Sequence, residues 1–146
     1  STLNITKKKI IPYIDLEYST EMALGTYWSQ LDSRQKKIFE RDMRNSLINE
    51  YIGILSDLAI WEDIKISVNE DFSQNENLAR VKVSLFLEDD NSSATVILKL
   101  ILKNRWKIYD LEYQSISIID IEKVAYDSKI KRQGLEKLIQ KMLKKS

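Results

Sequence analysis

Apolar side chains recur in steps of four and three at Phe39, Met43, Leu47, Tyr51, Leu55 and Leu58. That spacing keeps one face of a helix apolar, with Lys36, Glu40, Arg44 and Asn45 on the opposite face. Asp32, with Gln35 three residues on, has the form of a capping box that starts this helix. Residues 10–30 upstream also read as helical. Pro12 suits a first turn, where its missing N–H is not needed. Ile14, Met22 and Leu24 supply apolar contacts there, and Gly25 loosens the chain before Tyr27-Trp28.

From residue 64 the period becomes two. Ile64, Ile66 and Val68 alternate with Lys65 and Ser67, and Val81, Val83, Leu85 and Leu87 alternate with Arg80, Lys82 and Ser84. Each run predicts a strand. A polar turn over 69–77 separates them, and a hairpin turn at Glu88-Asp89-Asp90-Asn91 ends the second. Over Ala94 to Lys103, Val96, Leu98, Leu100 and Leu102 share one face, and Ile97, Lys99, Ile101 and Lys103 the other. A tight turn at Asn104-Arg105 leads to a fourth strand, Trp106 to Tyr113. Short turns between such runs predict an antiparallel meander. Helical periodicity then returns. Ile121, Val124, Ala125 and Ile130 precede Gly134, which suits a helix end, and Leu135, Leu138, Ile139, Met142 and Leu143 mark a last amphipathic helix.

Helices first, a meander next and helices last predict an α+β fold, with helices packed on one face of a curved antiparallel sheet. A sheet curled around a long helix is the cone-like arrangement of NTF2-like folds, which often enclose an apolar pocket. An ordinary packed core gives the same periodicity and is the commoner outcome.

Composition narrows the chemistry. At 146 residues the chain is one domain's length. A net charge of +1 argues against electrostatic capture of nucleic acid. With no cysteine there is no disulfide, zinc thiolate or thiol nucleophile. With no histidine the commonest general base and metal ligand is missing too. No run of apolar residues is long enough to span a bilayer, and Lys7-Lys8-Lys9 are followed by too few apolar residues for a signal peptide. The three glycines are scattered, so no phosphate loop is expected.

Among the carboxylates, Asp110 and Glu112 lie two apart on a strand and point to one face. Buried, they would suit the proton transfers of an NTF2-like isomerase or dehydratase; exposed or at a rim, the favoured reading, they are solvated. Asp89-Asp90-Asn91 lacks the spacing and glycine of a calcium loop, so no metal site is expected. The last segment is rich in cations, Lys137, Lys141 and Lys144 among them. They suit an acidic partner or anionic headgroups, although a solvated helix face is the commoner explanation.

Two stretches resemble a known family. The first is Ile11-Pro12-Tyr13-Ile14, then Ala23-Leu24-Gly25-Thr26-Tyr27-Trp28, continuing through Gln35, Phe39, Leu47 and Tyr51. The second is Trp106-Lys107-Ile108-Tyr109-Asp110, then Ser117, Gly134, Leu135 and Leu138. In order and spacing they resemble the MlaC/toluene-tolerance family of ABC-transporter auxiliary proteins, over roughly residues 10 to 143. Ser115 stands where that family has glycine in a turn. The family's further N-terminal helical region is not represented in the nine residues before Ile10.

The resemblance implies a single MlaC-like lipid-binding domain over residues 1–146. It implies a periplasmic phospholipid carrier rather than an enzyme, with bound phospholipid as cargo and no other cofactor. Its partners would be an inner-membrane MCE-domain ABC transporter complex and an outer-membrane lipoprotein complex, with transient proximity to membranes. The expected slot for acyl chains is lined by Trp28, Phe39, Met43, Leu47 and Tyr51 on the helical side. The sheet side is Val83, Leu85, Leu98, Leu100, Tyr109, Leu111 and Tyr113, and Ile118, Ile121 and Val124 close one flank. Lys137, Lys141 and Lys144 would dock a partner. A filled interaction module of a secretion or envelope assembly is the other alternative.

Overall fold

A computed structural model of the chain describes residues 4, 6–59, 64–68, 73–87 and 92–145. Four α-helices are described: α1 (Leu16–Leu24), α2 (Ser33–Ala59), α3 (Ile118–Gln133) and α4 (Leu135–Lys144). The strands are β1 (Ile64–Val68), β2 (Ser73–Asn75), β3 (Leu78–Leu87), β4 (Ser92–Leu102), β5 (Trp106–Tyr113) and β6 (Ile116–Ser117). They form one antiparallel sheet in the order β1-β3-β4-β5-β6, with β2 also on β3. The fold is α+β, as the helix–meander–helix order predicts.

The capping box is formed as read. Gln35 N donates to Asp32 Oδ1 at 2.8 Å, and Asp32 N donates to Gln35 Oε1 at 3.0 Å. The helix it starts, α2, runs for 27 residues. Residues 10–30, however, are not one helix. A short 3-10 turn (Ile11–Tyr13) is followed by extended Ile14, which bridges Ile108 of β5, and Asp15 N donates to the Ile108 carbonyl at 2.8 Å. Asp15 then caps α1 by accepting from Tyr18 N. A long-range backbone bond thus outcompetes helix continuation at Ile14. Gly25, with φ 57°, ends α1, and a 3-10 segment (Gly25–Gln30) carries Tyr27 and Trp28. Ile14 and Leu24 are buried, whereas Met22 is exposed.

The expected polar turn over 69–77 contains β2, which pairs with the start of β3; residues 69–72 lie outside the described residues, as does the Glu88–Asn91 turn. β3 begins at Leu78, and Val81, Leu98 and Leu111 fall in cross-strand register, as do Val83, Val96 and Tyr113. The β4–β5 register shifts between Lys99 and Leu100: Lys99 faces Asp110, Leu100 faces Ile108, and Tyr109 is the extra residue of a bulge. The carbonyls on either side of that bulge accept from the N-terminal segment, Ile108 O from Asp15 N and Tyr109 O from Ser19 Oγ at 2.7 Å. β5 returns through Gln114 and Ser115, both at positive φ. Ser117 caps α3 by accepting from Asp120 N at 3.0 Å, so α3 starts three residues before Ile121. Gly134, at φ 90° and ψ 152°, breaks α3 from α4.

Candidate functional site

The expected lining falls largely into one apolar cluster. From α2, Phe39 and Met43 are fully buried (0% exposed), with Leu47 and Tyr51 beside them. From the sheet come Leu85, Ala94, Val96 and Leu111, and from α3 Ile118 and Ile119. Val83, Leu98, Tyr113 and Trp28 pack against this cluster while staying half-buried, so solvent reaches part of its sheet side. Lys36 places its ammonium 4.8 Å from the Trp28 ring centroid, a cation–π contact. Burial, with the nearby Asp110 charge, pushes the Tyr51 hydroxyl's pKa up and keeps it protonated.

Four expected positions fall elsewhere. Leu100 is half-buried opposite Ile108, outside the cluster. Tyr109 sits in the bulge and meets Tyr18 of α1 edge-on, with ring centroids 5.0 Å apart, so Ile108 takes the core position instead. Ile121 and Val124 do not close the slot: Val124 is 71% exposed and Ile121 is exposed as well. The buried face of α3 is Ile118, Ile119, Glu122, Tyr126 and Ile130, and a 100° step per residue puts 121 and 124 on the far side. There they line two surface clefts that meet at Val124. One, about 430 Å³, runs along Ala23–Tyr27, Lys123 and Asp127; the other, about 470 Å³, along Ser115–Ser117, Asp120 and Ile121.

The sequence reading missed Ile38, Ile48 and Tyr126, all buried. Ile48 flanks Tyr51 at the edge of the α2 stripe, whereas Ile38 lies well round the helix from it and lines a cleft with Met142 of α4, so a reading that seeks one apolar face leaves it out. Tyr126 stacks edge-on against Phe39, with centroids 5.5 Å apart, and donates to Asp42 Oδ2 at 2.7 Å, tying α3 to α2. Nothing local distinguishes it from an exposed helical tyrosine.

Asp110 is not exposed or at a rim as expected: it is 4% exposed. Its Oδ1 accepts from the Leu111 and Ile119 amides at 2.8 and 3.1 Å, and its Oδ2 accepts from Ser117 Oγ at 2.6 Å. Lys99 Nζ lies 3.1 Å from Asp110 and 3.1 Å from half-buried Glu112, which also meets Arg80 at 3.8 Å. Burial alone would lower the Lys99 pKa; the hydrogen bonds Lys99 donates to Glu112 and Asp110, with their negative charges, outweigh that and raise it. Asp110 and Glu112 do share a face, opposite Leu111 and Tyr113 on the strand. The carboxylate best placed for acid–base work is thus engaged in holding the start of α3. Among the described residues no group of three or more acidic side chains stands ready for a metal ion.

Lys137, Lys141 and Lys144 are all exposed on α4, while Leu138, Ile139 and Met142 of that helix are buried.

The family model described as MlaC protein matches residues 2–144. A curated relative from Haemophilus influenzae, the intermembrane phospholipid transport system binding protein MlaC, is 22% identical over 141 residues. That alignment takes in 94% of this chain, and the chain spans 65% of the relative's length. Among solved structures, a phospholipid-binding protein from Ralstonia solanacearum, in complex with a phospholipid, superposes with a TM-score of 0.78 at 20% identity. That superposition covers 98% of this chain and 79% of the other. The fold agrees with the order of elements read from the sequence, and the family model spans both stretches that carry the resemblance. The chain belongs to the MlaC family.

Proposed function

We propose that this protein is a phospholipid carrier that holds acyl chains between α2 and the sheet and releases them without chemistry. One observation supports the reading above others: in a chain of the MlaC family, a single apolar cluster joins the α2 stripe to one sheet face, with part of the sheet side only half-covered. The Haemophilus relative's transport role and the Ralstonia protein's bound phospholipid point the same way.

The physical need is clear. Two acyl chains carry roughly thirty methylenes at about 0.8 kcal/mol each, so exposing them to water costs some 20 kcal/mol. A carrier must cover them about as well as a bilayer does, yet not much better, or release would stall. An apolar slot does this while the headgroup stays in solvent, so no specific charged pocket is needed.

The slot is assigned to Trp28, Phe39, Met43, Leu47, Tyr51, Val83, Leu85, Leu98, Leu111, Tyr113 and Ile118. The carrier would work in the periplasm between an outer-membrane lipoprotein complex and an inner-membrane MCE-domain transporter complex. Among the described residues no helix is long and apolar enough to cross a membrane. Lys137, Lys141 and Lys144 would form the docking face for one of these partners, and reversing all three charges should weaken docking in a salt-sensitive way.

The test of the slot is Leu98. Leu98→Arg should keep the helical circular-dichroism signal and lose lipid from the purified protein. Leu98→Trp, which fills space without burying a charge, should lose it too. Either variant folded and still lipid-loaded contradicts the assignment.

A further inference from the structure

The apolar face of the sheet does not end where the core ends. Down β4 and β5 the same-face pairs are Val96–Tyr113, Leu98–Leu111 and Leu100–Ile108, and the series continues to Leu102–Trp106 at the hairpin tip. The last pair has left the core, and both side chains are 36% exposed. The loop beyond them is Lys103-Asn104-Arg105, closed by Lys103 N donating to the Arg105 carbonyl at 3.3 Å. Lys107 follows. Lys103, Asn104, Arg105, Lys107 and Asp15 surround a recess of about 390 Å³.

The recess itself is lined by three cations and one carboxylate, with Glu17 and Glu21 of α1 near enough to act on Lys103. Asp15, the acidic side chain in the recess, is held by Lys103 at 2.8 Å, and Lys103 also lies 5.8 Å from the centroid of the Tyr18 ring. Arg105 and Lys107 make no ion pair among the described residues. The tip therefore presents a tryptophan and a leucine, each about a third exposed, on one side, and on the other two cations outside any direct ion pair, Lys107 acting on Asp15 only at longer range.

We propose that the β4–β5 hairpin tip is a docking element for the anionic surface of a phospholipid bilayer. Trp106 and Leu102 settle at the headgroup level, where an indole's apolar ring and polar N–H both find partners. Arg105 and Lys107 reach lipid phosphates on flexible stems. Size favours a bilayer over a protein partner. Two apolar side chains are far short of the roughly 1,200–2,000 Å² that a stable protein interface buries, whereas shallow membrane contact needs only a few anchors. The inference deepens the carrier reading, since a carrier must meet a bilayer, and rests on it only for the reason to dock.

The experiment is sedimentation of the full chain with sucrose-loaded vesicles, either pure phosphatidylcholine or phosphatidylcholine mixed with phosphatidylglycerol. Lipid extracted into the protein stays in the supernatant, whereas docking carries protein to the pellet, so cargo and docking are read separately. The wild type should pellet with phosphatidylglycerol vesicles, less as salt rises, and little with phosphatidylcholine alone. Arg105→Gln/Lys107→Gln should weaken binding about 25-fold, roughly fivefold per cation removed. Lys82→Gln/Lys129→Gln, the same change in net charge at exposed sites elsewhere, should bind as the wild type does. Brominated lipids should quench a tryptophan component that is missing from Trp106→Phe, separate from any quenching of Trp28 by cargo in the slot. Failure to pellet at low salt, wild-type binding by the Arg105/Lys107 variant, or no quenching from Trp106 would each overturn the proposal. So would a protein partner that occupies the tip while vesicles are ignored.

Discussion

Truncating Asp110 to alanine removes the acceptor for two backbone amides and one hydroxyl at once. The Leu111 and Ile119 amides and Ser117 Oγ lose partners at 2.8, 3.1 and 2.6 Å, and Lys99 keeps only Glu112 at 3.1 Å. A buried polar group left unsatisfied costs about 1–3 kcal/mol, and three such groups lose their acceptor here, while Lys99 is partly exposed and keeps Glu112, so its loss adds little. The losses overlap, because water admitted to the site serves several groups, so about 3–5 kcal/mol is expected for Asp110→Ala. Asp110→Asn keeps an acceptor for the amides but loses the charge facing Lys99, and should cost about 1.5–3 kcal/mol. Against a domain stability of about 5–15 kcal/mol, the alanine variant should melt on the order of 10 °C lower. Urea unfolding followed by circular dichroism measures this directly. An alanine variant within about 0.5 kcal/mol of the wild type, the range of an ordinary surface substitution, would refute the assignment of Asp110 to the α3 start. So would an asparagine variant as damaging as alanine.

Three further outcomes are expected. Ser115→Gly should stabilise the protein by about 0.5–1 kcal/mol in chemical denaturation, because Ser115 holds φ 66° in the β5–β6 turn, where an L side chain is strained. Glu122→Gln should stabilise at neutral pH: burial first, then the Glu50 and Asp42 charges, raise the folded-state pKa of Glu122. A raised carboxyl contributes stability at low pH that is lost as pH climbs, so the gain should vanish once solution pH falls below about 4. Lys103→Met should show a different pH profile. Burial raises the Asp15 pKa, but Lys103 and the Tyr18 amide outweigh it and leave it lowered, so their contribution is present above about pH 4 and fades as acid protonates Asp15. The stability gap between Lys103→Met and the wild type should therefore close in acid.

Elements governed by local periodicity were legible from residues alone. The α2 stripe and its capping box, the alternation through β3 and β4, and the break at Gly134 each depend on neighbours within a few positions. Features set by distant partners were not. Ile14 leaves the helix because Ile108 offers it a bridge, and Tyr109 bulges beside carbonyls that accept from Asp15 and Ser19. β2 is defined by its pairing with the start of β3, which no local pattern over Ser73–Asn75 announces. Asp110 looks like any strand carboxylate until Ser117 and Ile119 fold back onto it. Ile121 and Val124 read as inward because they are apolar, yet with Ser117 as the cap, Ile118, Glu122 and Tyr126 face the core. The basic, aromatic β4–β5 tip was visible in the sequence only as a turn; its meaning comes from the register that carries the apolar face out to Trp106.

The most direct test of the carrier reading is native mass spectrometry of the purified protein, with solvent extraction and lipid analysis of the same sample. The account predicts a stoichiometric diacyl phospholipid that is lost on denaturation. A mass equal to the bare chain, unchanged after incubation with phospholipid vesicles, would contradict it.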